Sequence, residues 1–174
     1  MGSNNVESDL ARDAFIAAHG RFQHDHQRLE AARIYASFGE TLWWIFALDE
    51  HYRHGRSDPK DYEQHRNEDP HGRVVAGLRL ARNRVGHQLT QMLEHPMERL
   101  AEEQRLSDPF AHFAQLVFRP FEHLPDPDRG FERENQVKAY KTFLVGRPAR
   151  YVLRDANYFF VRQRDKIDVF LGAG

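Results

Sequence analysis

Seven apolar residues recur at steps of three or four between Ala31 and Tyr52: Ala31, Tyr35, Phe38, Leu42, Ile45, Leu48 and Tyr52. At 100° per residue they form one stripe along about six turns of α-helix. Trp43, Trp44 and Phe46 fall off that stripe, so the middle of the segment is apolar nearly all the way round. Such a helix is buried on several sides, inside a bundle or at a subunit interface. The spacing predicts a helix from about Gln27 to His54. Glu40 lies away from the stripe, near Trp43 and Ala47. Asp49 sits on the stripe's edge, where an acid is expected to be buried against an arginine.

Helical spacing recurs along most of the chain. Residues Val6 to Arg21 read as a first amphipathic helix with Leu10, Phe15 and Ala18 facing inward, interrupted by Gly20 and the polar run Gln23-His24-Asp25-His26. His54-Gly55-Arg56-Ser57-Asp58-Pro59 ends the long helix by Gly and Pro punctuation. The connection to Pro70 is polar, with a short turn of helix at Lys60 to Arg66. Asp69 as N-cap and Pro70 as first helical residue open another helix, His71 to Leu93, which Pro96 ends. Met97 to Leu106 reads as a short helix whose Glu98, Glu102 and Glu103 form a solvated face. From Ser107 to Gly130 an aromatic patch (Phe110, Phe113, Phe118, Phe121) and Pro120, Pro125 and Pro127 predict a short helix and then an extended segment covering an edge. Helices are expected again at Phe131 to Val145 and Ala149 to Val169, broken at Gly146-Arg147-Pro148. Strand-like alternation and internal repeats are absent. The expected fold is therefore an all-α, up-and-down bundle of four to six helices, with residues 1–174 as a single domain.

Composition narrows the function. The chain has 174 residues, long enough to bury one core, and 13 Phe, 6 Tyr and 2 Trp argue against disorder. With no cysteine there is no disulfide framework, thiolate metal site or thiol nucleophile. No apolar run is long enough to span a bilayer. The polar start Met1-Gly2-Ser3-Asn4-Asn5 lacks the order of a signal peptide, so a cytoplasmic protein is expected. The net charge of −1 is unlike a dedicated duplex-DNA binder. Of the 25 basic residues 21 are Arg, but they are spread along the whole chain.

The helix from His71 to Leu93 carries the most informative group. Val74, Leu78, Ala81, Val85, Leu89 and Met92 make its apolar stripe. A second line, Ala76, Leu80, Asn83, His87 and Gln91, runs up nearly the opposite side and is small or polar rather than charged. It reads as a surface that meets something. Arg82 and His87 stand about 140° apart around a straight helix. A partner helix, a bend near Gly86 or the reach of arginine must bring them together.

Arg82-Asn83-Arg84-Val85-Gly86-His87 resembles the RNxxxH signature of HEPN domains: an arginine, a polar residue directly after it, and a histidine a few residues on, in a small helical domain. The resemblance implies a metal-independent endoribonuclease without cofactor, whose active site is completed when two protomers bring Arg82 and His87 of each into one cleft. RNA is the implied partner. A toxin or defence role, and a cognate antitoxin or regulatory protein, follow from the same resemblance. The residue types suit that chemistry. Histidine titrates near neutrality and can take or give the proton of the 2′-hydroxyl or the 5′-oxygen. Arginine keeps its charge and forks onto phosphate oxygens. Asparagine can orient either.

Arg79 and Arg84 flank the motif and are candidates for holding the phosphate backbone; as solvated helix charges they would be equally ordinary. Glu40 and Asp49 are candidates to orient the motif's arginine or histidine. Two alternatives stand beside the nuclease: a non-catalytic HEPN-like module that binds RNA or protein through the same face, and a metal-binding bundle of the DinB-like kind. Eleven histidines, with close pairs His24/His26 and His51/His54, motivate the last. Against it, the one Glu-x-x-His, Glu68 to His71, encloses Pro70, and no His-Glu-x-x-His exists. No Gly-x-Ser-x-Gly and no phosphate-binding glycine loop is present.

Overall fold

The computed structural model describes the backbone of residues 3–28, 31–55, 58–88, 91–94, 116–124, 126 and 132–171, with side chains over 9–26, 32–55, 58–84, 91–94, 116–124, 126 and 132–163. Among these, six α-helices form an all-α bundle: α1 (Ser3–Arg28), α2 (Ala31–His54), α3 (Pro59–Glu68), α4 (Arg73–Gln88), α5 (Glu134–Phe143) and α6 (Ala149–Leu171). No described helix is long and apolar enough to cross a membrane.

The expected α2 stripe is the spine of the core: Phe38, Leu42, Ile45, Leu48 and Tyr52 are all buried. α1 packs along α2 as a hairpin. Here the sequence reading needs two corrections. Gly20 and the polar run do not break α1, which continues to Arg28. Phe15, Ala18, His19 and Phe22 are buried and carry the stripe past the glycine. Gly20 itself faces open space, so it costs only its low helix propensity, about 1 kcal/mol. Leu10, expected inward, is 65% exposed, one turn beyond the packed stripe.

α4 is the central helix, packed against α2 on one side and α5 on another. The α5 contact is close because residue 77 is glycine: a Cβ there would stand 3.0 Å from the Tyr140 backbone and 2.8 Å from Leu144 Cδ1. α4 starts later than expected. The Asp69 carboxylate accepts the His71 and Gly72 amides at 2.8 and 2.9 Å, so it caps a turn that leads into the helix rather than the helix itself. α4 also ends earlier, at Gln88, so Gln91 and Met92 lie beyond the helix on which both lines of residues were drawn.

The chain then enters a two-stranded antiparallel ladder, β1 (Leu93–Glu94) with β2 (Val117–Phe118), in the register Leu93↔Phe118 and Glu94↔Val117. β2 threads against the α5–α6 corner, where Gly146 donates to Phe118 O at 2.8 Å and Ala149 to Leu116 O at 2.9 Å. This is the extended segment expected within 107–130. That it forms a strand pair was not expected, because two residues show no alternation and the pairing is set by tertiary partners. A single-turn 3₁₀ helix follows at Phe121–His123. The acidic helix expected at 97–106 and the aromatic positions 110 and 113 lie outside the described residues.

Aromatic rings link these elements. Phe22 meets Phe38 at 5.8 Å between centroids, Phe38 meets Phe118 at 5.9 Å, and Phe118 meets Tyr140 edge-on at 6.1 Å. At the other end Phe160 of α6 packs on Phe15 of α1 and Tyr52 of α2, at 6.1 and 5.9 Å. These offset and edge-to-face pairs add to the area they bury.

Candidate nucleic-acid interface on α2 and α4

Three arginines of α4 stand within two turns of one another, and their surroundings separate them. Arg79 is turned inward. Its Nη1 donates to Asp49 Oδ2 and lies against Glu50 Oε1, both at 2.5 Å. Asp49 is fully buried and also receives Arg66 Nη1 on both oxygens, at 3.0 and 2.9 Å, and the Tyr62 hydroxyl at 2.9 Å. The edge of the α2 stripe thus holds a buried carboxylate with two guanidinium partners, which joins α2 to α3 and α4. Burial pushes the Tyr62 hydroxyl well above its ordinary value, and the Asp49 charge adds to the shift. Burial also works to raise Glu50, but hydrogen bonds from Arg53 and Arg79 outweigh it and hold that carboxyl below its usual range.

Arg84 is also taken up internally. Its Nε bonds Glu132 Oε1, its Nη2 bonds Glu132 Oε2 at 2.6 Å, and the guanidinium lies 4.6 Å from the Phe121 ring centroid. This ties α4 to the segment entering α5. Arg79 and Arg84, the two arginines read as phosphate contacts, are therefore structural links between elements.

Arg82 differs from both. Among the described residues it has no carboxylate partner. Its guanidinium lies over two α2 rings, Trp43 at 4.9 Å and Phe46 at 4.5 Å. Among the described residues it makes one hydrogen bond, a long one of 3.4 Å to the Oδ1 of exposed Asn83. Trp43 is 53% exposed, a large apolar face open to solvent beside the cation. A ring three residues from another on a helix shares its face, so Trp43 and Phe46 make a ledge on which the arginine rests. Sequence reasoning placed both rings off the core stripe but did not assign them to Arg82. Their helical phase relative to the stripe was the available signal.

His87 lies in the last turns of α4, and its side chain is outside the described residues. The helix runs through Gly86 without a break. Helix geometry sets residue 87 about 140° around the axis from residue 82 and about 7.5 Å along it. The second line of residues on α4 is not an open face throughout: of its described side chains, Ala76 and Leu80 are buried and Asn83 is exposed, with Gln91 exposed beyond the helix end.

The two acids proposed as supports are engaged elsewhere. Glu40 pairs with Arg21 of α1, at 2.5 and 3.3 Å, and so latches the α1–α2 hairpin. Asp49 holds Arg66 and Arg79, as above. Neither bonds Arg82. Among the described residues no group of three His, Asp or Glu side chains stands close enough to hold a metal ion. His54 is 3.2 Å from Glu50, His51 packs edge-on against Tyr52, and His71 bonds Asp155 at 3.2 Å.

What the α2–α4 surface offers is a fixed cation with no acid partner among the described residues, a planar aromatic face and an amide, side by side. That set matches a strand presenting phosphate and a base. Guanidinium forks onto phosphate oxygens, and exposed indole stacks on any base. No family model, curated protein or solved structure matches the chain.

Proposed function

We propose that this protein is a metal-independent endoribonuclease of HEPN type, acting as a homodimer whose composite cleft takes Arg82 and His87 from each chain. The observation that supports it is the contrast along α4. Arg79 and Arg84 spend their charge on internal carboxylates, whereas Arg82 keeps its charge on a solvent-facing aromatic ledge beside exposed Asn83. In this reading the Trp43 face stacks a base and Arg82 clamps the phosphate as negative charge gathers on it. Asn83 orients the phosphate or the imidazole. His87 acts as general acid or base. The 2′-hydroxyl oxygen attacks phosphorus, its proton goes to the base, and the P–O5′ bond breaks as the leaving oxygen is protonated. The products are a 2′,3′-cyclic phosphate and a 5′-hydroxyl. A toxin or defence role and a cognate antitoxin belong to the same proposal and rest on the RNRVGH resemblance alone; a cytoplasmic setting belongs to it too and rests on the polar N-terminal sequence.

The test is purified protein incubated with single-stranded RNA in excess EDTA. Cleavage leaving cyclic phosphate ends, lost in His87→Ala, is expected. No cleavage by the wild type, or equal cleavage by the variant, removes the enzyme.

One observation favours a second reading. Arg82 leans toward α2 over the Trp43 and Phe46 rings, which makes a basic and aromatic surface complete without residue 87. A non-catalytic RNA-binding module needs only the Trp43–Arg82–Asn83 surface. It predicts RNA binding that survives His87→Ala, with no products.

A further inference from the structure

On its solvent side α2 carries Glu40 and Trp43, three residues and about 60° apart around the helix axis. Each is met from a different neighbour. Arg82 of α4 lies over Trp43, its guanidinium 4.9 Å from the ring centroid. Arg21 of α1 reaches Glu40, with Nη2 donating to Oε1 at 2.5 Å and Nε to Oε2 at 3.3 Å. Two arginines from two helices thus come to one exposed ridge of α2. We propose that Arg21 is a second phosphate contact of the RNA site, held by Glu40 until a bound strand displaces that carboxylate. The proposal rests on the RNA reading of the Trp43–Arg82–Asn83 surface.

The first reason is exposure. The Arg21 and Glu40 side chains are 52% and 41% exposed. The arginines that serve as internal links differ: the Arg66 and Arg84 side chains are 4% and 6% exposed. A buried pair cannot be opened without stranding a charge. An exposed pair sits in high dielectric and contributes little to stability, so exchange of its carboxylate for a phosphate costs little.

The second reason is geometry. Arg21 presents Nε and Nη2 to two oxygens of one anion, the fork that also fits two oxygens of a phosphate. Among the described residues Glu40 is its one hydrogen-bonding partner. Asp25, one turn along α1, acts on Arg21 through its charge. A nucleotide stacked on Trp43 carries a phosphodiester on each side. Arg82 takes the one toward α4, and the strand leaves over Glu40 toward α1, where Arg21 supplies the next guanidinium.

The sign of the effect follows. Opening the pair leaves the Glu40 charge beside a polyanion, so Glu40 holds affinity down. Removing that charge should free Arg21 and tighten binding.

The experiment is fluorescence anisotropy on the full chain at several salt concentrations. The probe is a single-stranded oligouridylate whose 2′-oxygens are methylated, so that it binds without being cleaved. Glu40→Gln should tighten binding about two- to fivefold. It should also steepen the dependence of log Kd on log salt by about 0.7, the effect of one more phosphate contact on a single strand. Adding Arg21→Gln should remove both gains. Glu122→Gln makes the same change of net charge by opening the exposed Lys141–Glu122 pair elsewhere, and should leave affinity unchanged. Because the Arg21–Glu40 pair is exposed, these variants fold, which thermal melts verify. Affinity and slope unchanged in Glu40→Gln, a gain that survives Arg21→Gln, or an equal gain in Glu122→Gln overturns the Arg21 contact; binding that Trp43→Ala still weakens then keeps the RNA site itself. No binding by either the wild type or Glu40→Gln removes the RNA reading and this contact together.

Discussion

The Arg82 guanidinium of α4 lies 4.9 Å from the ring centroid of Trp43 of α2. An exposed indole is thereby fixed beside a cation that no described carboxylate neutralises. Aromatic stacking is worth about 1–3 kcal/mol per base. Trp43→Ala and Arg82→Ala are therefore each expected to weaken binding of single-stranded RNA about tenfold or more, measured by fluorescence anisotropy at fixed salt. Trp43 is 53% exposed, so its removal should change the melting temperature little. Arg82→Lys keeps the charge but loses the planar stack, and should fall between the wild type and Arg82→Ala.

Arg79 makes the opposite prediction. It is a buried link, bonded to Asp49 and Glu50. Breaking a buried pair by removing one partner costs about 3–5 kcal/mol. Asp49→Ala leaves Arg66, Arg79 and the Tyr62 hydroxyl without their shared acceptor. It should lower the melting temperature by about 6–20 °C for a chain of this size. Arg79→Met should cost less, because Arg66 still neutralises Asp49, and it should leave the salt dependence of RNA binding unchanged. A phosphate contact would instead lower that slope by about one. Circular dichroism melts and binding isotherms at several salt concentrations separate the two roles.

Stability near neutral pH should carry the mark of His19. Burial lowers its pKa below 6.5, and Gln23 Nε2 lies 3.2 Å from its Nε2, an amide donor against an unprotonated nitrogen. As pH falls, the unfolded chain takes up this proton first, near 6.5, while the folded chain does not. Stability is thus lost from about pH 7 downward until the folded pKa is passed. Denaturant melts across this range should show that decline, and His19→Leu should flatten it. Asp69 acts at lower pH. Burial works to raise it, but the His71 and Gly72 amides and Arg162 hold it below 3.8. Its contribution is present above the unfolded carboxylate value and disappears as pH falls through the folded one. Asp69→Asn should shrink the acid-side loss only.

The helices were legible where periodicity and packing agree. The α2 stripe from Phe38 to Tyr52 is buried residue for residue, because a step of three or four leaves no other face for the core. Gly20 misled, because a breaker is judged from its own propensity, whereas Phe22 two residues on is held by Phe38. The β1–β2 ladder was out of reach because each strand is two residues long and β2 is held in place by Gly146 and Ala149, whose amides bond Phe118 O and Leu116 O from about thirty positions along the chain. At the candidate site the motif residues stood out as residue types. What each arginine touches did not, since Arg79, Arg82 and Arg84 differ only in which neighbour the fold brings to them. The Asp49 pairing was readable from its place at the stripe's edge. The Trp43–Phe46 ledge was not, because it needs the crossing of α2 and α4.

The most direct test of the composite cleft is complementation. Arg82→Ala and His87→Ala are prepared separately, each inactive on RNA, and mixed under conditions where native mass spectrometry shows subunit exchange. A mixed dimer keeps one intact histidine and one intact arginine on different chains. The account predicts that mixing restores EDTA-resistant cleavage, in proportion to the mixed dimer formed. Mixed dimers that stay inactive, beside a wild type that cleaves, would contradict a site shared between chains.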